Sequence, residues 1–564
     1  MRLKRRQLFG ISGALAALAL APRRAQAILG DIVDPALRDL MQANPLALLP
    51  VIVEMRQAVP PFIGGSNVGR ALEALNLLGV YGTPVAALPL IDAAAGFANA
   101  AAINAISLVP TVAFIHHDRT VGPHSTAVPP PVPAGPPSSV YPRVVRADKV
   151  WANGISGNGV TVAVLDSGVA ADLDLMGSTN RLLASVNFAD PRTADDPGGH
   201  GTHIAGLIAG NGARSCGEFS GIAPQTNIVD VRVLGSNGSG RVSSVVRGIE
   251  WVLAHRALYN IRVINLSFGA PAPVSYRADP FSAAVEIAWR RGLVVVAAAG
   301  NGGPGRDSVV TPGIDPYVIT VGATDDRGSL DRDDDLFAWF SAWGSNGSTA
   351  KPDLVAPGRR LVSIRVPGST LDTLYPERIV AAGNGATYFY LTGTSMATGV
   401  VSGVAALLLQ DQPGLSPDQV KALLVGNTQQ FGQNGQPSVP DPTADGSGLV
   451  DARGADRALQ RSFALPSANG GLRPTDGFAR ALYPVLFGSP LRWKDPLLGG
   501  ILWNLLTWDT LAWNSVAWDN FDWDSVAWDS VAWDSVAWDS VAWDSVAWDS
   551  VAWDSVAWDS YTLD

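Results

Sequence analysis

Three side chains, far apart in the chain, have the types and settings that nucleophilic catalysis needs. Ser395 lies in Leu391-Thr-Gly-Thr-Ser395-Met-Ala, just ahead of the apolar run Val400 to Leu409. A serine at the start of a buried helix sits beside unpaired N–H groups that polarise whatever it attacks. Its hydroxyl is a weak nucleophile and needs a base and an orienting carboxylate. Both are found upstream. Val160-Thr-Val-Ala-Val-Leu-Asp166-Ser-Gly reads as a buried strand ending in an acid. Gly199-His200-Gly-Thr-His203-Ile-Ala-Gly-Leu-Ile-Ala reads as a glycine turn leading a histidine into an apolar helix. Asn301 follows the strand-like run Leu293 to Gly300 and precedes Gly302-Gly-Pro-Gly, a turn that brings backbone close to a substrate.

The elements that must position these groups run from Tyr141 to about Leu459. Apolar strands there alternate with helical stretches, the pattern of a parallel sheet covered on both faces. Landmarks are Ile228 to Leu234, the helix Ser243 to His255, the strand Val263 to Gly269, the segment Ala283 to Arg291, Pro316 to Ala323, and Lys351-Pro-Asp-Leu-Val-Ala-Pro-Gly. Asp, His and Ser in that chain order, each at the end of an element, resemble the subtilisin-like serine peptidases (subtilases). Several motifs look most like the AprX-like branch. The resemblance runs from about residue 141 to Gly448-Leu-Val-Asp-Ala452, over half of the chain.

The resemblance implies an α/β fold, a three-layer α/β/α catalytic domain with a mainly parallel sheet. It implies that Ser395 attacks a peptide carbonyl, that His200 takes and returns the proton, and that Asp166 fixes the imidazole. Asn301 would donate to the oxyanion together with the Ser395 backbone N–H. Ser267, Phe268 and Gly269 with Ala298, Ala299 and Gly300 would wall the pocket for the residue before the cut, and Val310 would stand near its floor. Two departures from the family pattern occur. Gly399-Val400 replaces Pro-His after Ser395-Met-Ala, which predicts a softer helix start, and Ala171-Asp172-Leu173 replaces His-Pro-Asp-Leu.

The same residues admit other readings. His203, one turn from His200, reads as a packed neighbour; as a His-x-x-His metal pair it lacks a Cys or Glu to complete a zinc site. Cys216 is the only cysteine, so no intrachain disulfide forms, and it has no recognisable catalytic partner. No metal ligand is assigned and no cofactor is required. Structural Ca²⁺ is allowed by Asp325, Asp326, Asp331, Asp333, Asp334 and Asp335, with a solvated acidic loop as the simpler reading. An α/β-hydrolase esterase would need Gly-x-Ser-x-Gly with the histidine last, which this chain lacks. A surface-binding protein with a vestigial peptidase unit is the alternative function, and the intact Asp166, His200, Ser395 and Asn301 set argues against it.

A chain of 564 residues exceeds one typical domain. Residues 1–27 read as a signal peptide: Arg5-Arg6, an apolar run from Gly10 to Ala21, and Ala25-Gln-Ala27, with a twin-arginine flavour. Export to the extracellular space or cell envelope is therefore expected. Residues 28–120 alternate strand and helix patterns and are similar to the small α+β (ferredoxin-like) inhibitory prodomains of subtilases. Residues 121–140 form a Pro-rich linker suited to self-cleavage, 141–460 the peptidase domain, and 461–502 an extension. Residues 503–564 carry a Trp at every fifth position, mostly as Trp-Asp-Ser-Val-Ala. Neither a helix nor a strand of that period puts the indoles on one side, so the tail reads as an interaction module for an envelope component or another copy. The net charge of −10 belongs to this tail, since the first 494 residues sum to about +3. Nucleic acid is not an expected partner; protein and peptide substrates and the chain's own prodomain are.

Overall fold

The computed structural model describes residues 32–475 apart from 57–66, 123–135, 178, 190–194, 273–274, 346–348, 433–438, 440, 462–466 and 473. The signal segment, most of the Pro-rich linker and the Trp repeat lie outside the described residues. Two units divide the described chain, the first ending at Arg119 and the second beginning at Thr120.

The first unit opens with helix α1 (Pro35–Ala43), which Asp34 caps by accepting the Ala36 N–H at 2.9 Å. It continues as β1 (Leu49–Met55), α2 (Asn67–Tyr81), β2 (Thr83–Leu88), β3 (Ala93–Ala98), α3 (Ala100–Ser107) and β4 (Val112–His117). The strands pair antiparallel in the order β2-β3-β1-β4, a split βαβ arrangement. Small residues in β3 let α2 lie close: a methyl group at Gly96 would be 3.1 Å from Leu78 Cδ1. β2 stops at Leu88. Pro89 has no N–H to give a ladder, and the chain turns there through Asp92 at φ 54° into β3.

The second unit is built on a sheet of seven parallel strands. These are β6 (Thr161–Asp166), β7 (Leu182–Asn187), β8 (Asn227–Arg232), β10 (Ile261–Leu266), β11 (Val294–Ala298), β12 (Ile319–Asp325) and β14 (Leu354–Pro357). An antiparallel strand β13 (Leu336–Phe337) pairs with β12. Nearly every residue of β6, β10 and β11 is buried, as near-continuous Val, Ile, Leu and Ala runs require. Side-chain alternation shows what covers each face. Leu165 and Val231 point at Gly248 of α5 (Val242–His255), while Asn265, on the other face, accepts from Ser402 of α7 (Thr394–Asp411) at 3.0 Å. Between those helices in sequence lies α6 (Pro280–Arg290), packed on α5 and β11. Helix α4 (His200–Ala209) packs against α7. The chain thus forms helix, sheet and helix layers.

The expected softening of α7 at Gly399 is not seen. The helix runs unbroken from Thr394 to Asp411, and Gly399 faces Ile204 and Leu207 of α4, where a methyl group would be 3.4 Å from Leu207 Cβ. Close helix packing replaces what a proline would contribute.

The second unit also holds a short extended segment, β5 (Thr120–Val121), paired antiparallel with β9 (Gly240–Arg241). The next residue, Gly122, exchanges two backbone hydrogen bonds with Gly269, at 2.9 and 3.0 Å. Beyond α8 (Ala452–Arg461), residues 467–472, 474 and 475 lie on this unit too. Asn469 Nδ2 donates to Tyr317 O and Asp418 Oδ1, and the Tyr317 hydroxyl donates to Leu472 O at 2.7 Å. Thr475 gives its N–H (2.8 Å) and hydroxyl (3.1 Å) to the fully buried Glu286 carboxylate on α6. Burial, then the charge of Asp315, pushes the Glu286 carboxyl well up. A hydrogen bond between neutral groups contributes about 0.5–1.5 kcal/mol. A chain ending at Arg461 should therefore melt lower than one ending at Asp476, by about 3 °C or more. Equal midpoints in thermal scans of the two would show that Thr475 does not latch the peptidase unit.

Candidate active site

Asp166 closes β6, and its fully buried Oδ1 accepts from His200 Nδ1 at 2.8 Å and from the Ser167 N–H at 2.7 Å. His200 is the first residue of α4, entered through Gly199 at φ 90°, a left-handed conformation that favours glycine. The glycine after it has a steric purpose. A side chain at Gly201 would run into the Gly168 carbonyl and lie 2.9 Å from Asp166 Cβ, so helix and strand could not meet.

Ser395 is the second residue of α7, in the first turn, where N–H groups have no carbonyl one turn back. Its hydroxyl donates to Ser267 O at 2.6 Å, and Ser267 Oγ donates back to Ser395 O at 2.9 Å. His200 Nε2 is buried and has no hydrogen-bond partner among the described residues. Asp166 and His200 are thus joined, while Ser395 rests on Ser267; such bonds in ligand-free sites commonly tighten only with substrate. Asn301 follows β11, and its Oδ1 accepts the Thr394 N–H at 2.8 Å and the Thr394 hydroxyl at 3.0 Å. Thr394 Oγ1 in turn accepts from Gly300 N at 3.2 Å. That anchoring turns Nδ2 to the opposite side of the amide. All four groups stand at carboxyl ends of parallel strands or at a helix start, where open α/β sheets place their sites.

The two histidines differ in environment. Burial lowers the proton affinity of His200, but the Asp166 pair and then the charge of Asp196 outweigh it, and the net shift is upward. His203 is pushed down to about 3 by burial, then by the nearness of His200. Its Nε2 faces Leu361 O (3.0 Å) and Phe389 O (3.1 Å), so it stays neutral and braces β15 (Leu361–Ile364) and β17 (Thr387–Leu391).

Ser267, Phe268 and Gly269 continue from β10, and Ala298, Ala299 and Gly300 end β11. Val310 lies between them: a methyl group at Gly269 would overlap Val310 Cγ2, and one at Gly300 would be 2.9 Å from Cγ1. The acidic loop faces protein partners in part. Asp325 pairs with Arg359 at 2.8 Å and Asp326 accepts the Ser138 hydroxyl at 2.6 Å. Among the described residues no group of three or more His, Cys, Asp or Glu is arranged to hold a metal ion. Cys216 is exposed and free. Sequence reasoning did not single out Thr394, Ser167 or Asp196, which hold the site in place. The signal for Asp196 was an acid four residues ahead of His200 and the apolar helix it begins.

In the role that the resemblance implies for it, His200 must be neutral to accept a proton, so its upward shift has a kinetic consequence. Activity should rise with pH with a midpoint above about 6.5, the ordinary imidazole value. A kcat/KM profile on a non-ionising peptide substrate with its acid limb below that value would contradict the ion-pair geometry.

Residues 157–453, a little over half of the chain, match the Subtilase family (Peptidase_S8). The serine protease AprX of Bacillus subtilis (strain 168) is 40% identical over 321 residues, covering 54% of this chain and 69% of that protein. Subtilisin Savinase of Lederbergia lenta is 37% identical over 315 residues, 56% of this chain and 96% of its own length. Alkaline elastase YaB of Bacillus sp. (strain YaB) is 34% identical over 363 residues, 63% of this chain and 77% of its own. Among the described residues no helix is long and apolar enough to cross a membrane. With this match lying over the strands and helices that carry Asp166, His200, Asn301 and Ser395, the chain belongs to the subtilase family and is a subtilisin-like serine-type endopeptidase.

Proposed function

We propose that this endopeptidase is exported and made as a zymogen, and that it cuts proteins through Asp166, His200 and Ser395. The buried 2.8 Å bond between Asp166 and His200, set beside the helix start that carries Ser395, is the observation that supports this most directly. Substrate binding turns the Ser395 hydroxyl from Ser267 O towards His200 Nε2. The Ser395 oxygen then bonds to the scissile carbonyl carbon as its proton passes to His200. The oxyanion takes donors from Asn301 Nδ2 and the Ser395 N–H, each such donor contributing roughly 10²–10³ in turnover, a magnitude measured in a subtilisin. His200 returns the proton to the leaving amine, and water releases the acyl group by the reverse steps. Asp166 holds the imidazole tautomer throughout.

Residues 28–120 act as the inhibitor-like prodomain in this reading. The backbone pairing of Thr120 to Gly122 with Gly240, Arg241 and Gly269 supports it, because the same edges would bind an extended substrate. Cleavage falls within the Pro-rich linker, the signal at 1–27 directs export, and the Trp repeat attaches the enzyme to an envelope component or another copy. Any structural Ca²⁺ would be held by the acidic loop at 325–335. Purified full-length protein and its Ser395→Ala variant should be compared on casein, with N-terminal sequencing of both. The variant should lose nearly all activity and keep residues 28–140 attached; casein hydrolysis at the wild-type rate would remove Ser395 from the mechanism.

Val310 narrows the slot between Ser267–Gly269 and Ala298–Gly300, so small and medium apolar side chains should precede the cut. Val310→Gly should raise the kcat/KM ratio of Phe over Ala substrates by about tenfold or more, the usual effect of a methylene or two in such a pocket. An unchanged ratio would place the pocket floor elsewhere.

A further inference from the structure

Asp196 lies in the loop ahead of α4 and is 3% exposed. Each oxygen of its carboxylate takes two donors. Oδ1 accepts the Gly199 N–H at 2.7 Å and the Ser167 hydroxyl at 2.8 Å. Oδ2 accepts the Thr202 N–H at 2.8 Å and the Thr202 hydroxyl at 2.6 Å. These donors flank both members of the catalytic pair. Gly199 precedes His200 and Thr202 is two residues beyond it, while Ser167 follows Asp166 and gives its own N–H to Asp166 Oδ1. Ser167 Oγ also accepts the Gly201 N–H at 3.0 Å, closing a ring of bonds around Asp166 and His200.

Burial raises the Asp196 carboxyl, and the hydrogen bonds from Thr202, Gly199 and Ser167 oppose that by favouring the anion, which sits at the amino end of α4, where a helix favours negative charge. That charge also reaches the imidazole and favours its protonated form. The titratable and charged groups around the pair include Asp166 at the end of β6, Asp196, His203 one turn along α4, and on β8 Asp230, whose charge Asp196 disfavours, and the buried Arg232, in register with Asp166. An amide at 196 would have one acceptor oxygen for four donors and would turn its own N–H groups on the Thr202 donors.

We propose that Asp196 is a positioning residue of this peptidase. It clamps the Asp166–His200 hydrogen bond from both sides and adds a second negative charge to the field that steadies the imidazolium in the transition state. This rests on the reading of Asp166, His200 and Ser395 as the catalytic set. The reacting atoms do not touch Asp196, so its effect should appear in kcat and in the pH profile and not in substrate affinity.

The test uses full-length protein, a peptide anilide substrate, and a serine-directed fluorophosphonate to count competent sites. Asp196→Asn should lower kcat by about tenfold, less than the roughly 10²–10⁴ that a group transferring the proton itself contributes, with KM nearly unchanged. Removal of a neighbouring negative charge lowers the proton affinity of His200, so the acid limb of kcat/KM should move to lower pH. A folded Asp196→Asn protein with wild-type kcat, or with lowered kcat and an unmoved acid limb, overturns the proposal. If Asp196→Asn does not fold, Ser167→Ala decides: it keeps the charge but breaks the ring, so kcat should fall several-fold while the acid limb stays. Wild-type kcat in Ser167→Ala overturns the clamp. Ser395→Ala separates the two levels, because fluorophosphonate labelling that survives in it refutes the catalytic set itself. Lost labelling there, beside an unaffected Asp196→Asn, refutes only the role of Asp196.

Discussion

A carboxylate without solvent exposure at the end of β6 is the constraint on which the rest of the second unit depends. Moving an ion of that kind out of water costs several kcal/mol unless charge and donors compensate. Asp166 is compensated by the Ser167 N–H and His200 Nδ1, while its Oδ2 has no hydrogen-bond partner among the described residues. The strand end is pinned from the other side, since Asp166 O accepts from the Val233 and Leu234 N–H groups at 2.9 and 3.1 Å. The imidazole can approach only because Gly199 turns the chain into α4 at φ 90° and Gly201 lets that helix abut the strand. Catalytic geometry and core packing are here one problem.

Other buried acids in the same unit are handled differently, and the contrast sets Asp166 apart. Asp353 is drawn down by Lys351 and Lys421 against the effect of its own burial. Asp335 has both oxygens buried with no hydrogen-bond partner among the described residues; burial, then the charge of Asp326, pushes it up to about 9, so it is held as a neutral acid. Asp230 rises to about 8 for the same leading reason, although Ser185 donates to it. Asp196 is surrounded by neutral donors. Among these solutions only Asp166 meets a histidine, and a histidine changes its charge in the range where peptide hydrolysis is run.

Much of this was legible in the chain because the motifs are local. A buried Val-Ala-Val-Leu strand must end somewhere, and an acid at its end is exposed to the loops that form a site. A glycine turn before an apolar run marks a helix start, and both His200 and Ser395 stand at one. Strands alternating with helices require a parallel sheet with both faces covered, and the helix, sheet and helix layers follow. Element ends were less legible. β2 stops at Leu88 because of Pro89, and α7 begins at Thr394, six residues before the apolar run that announced it.

The sequence by itself determined which residue types could carry the chemistry, their order, and the sheet that would hold them, because backbone periodicity and glycine sterics act over a few residues. Only the tertiary structure decided which groups meet. That Asp196 reaches across to Ser167 and Thr202, that Val310 fills the space between Gly269 and Gly300, and that Thr475 meets Glu286 across 189 positions are results of chain crossing. The roles of His200 and His203 were separated the same way. They share one helix turn and one motif, and what distinguishes them is a carboxylate from one strand against two carbonyls from two others. Burial and electrostatics depend on everything that packs around a group, and no local pattern of residues records that.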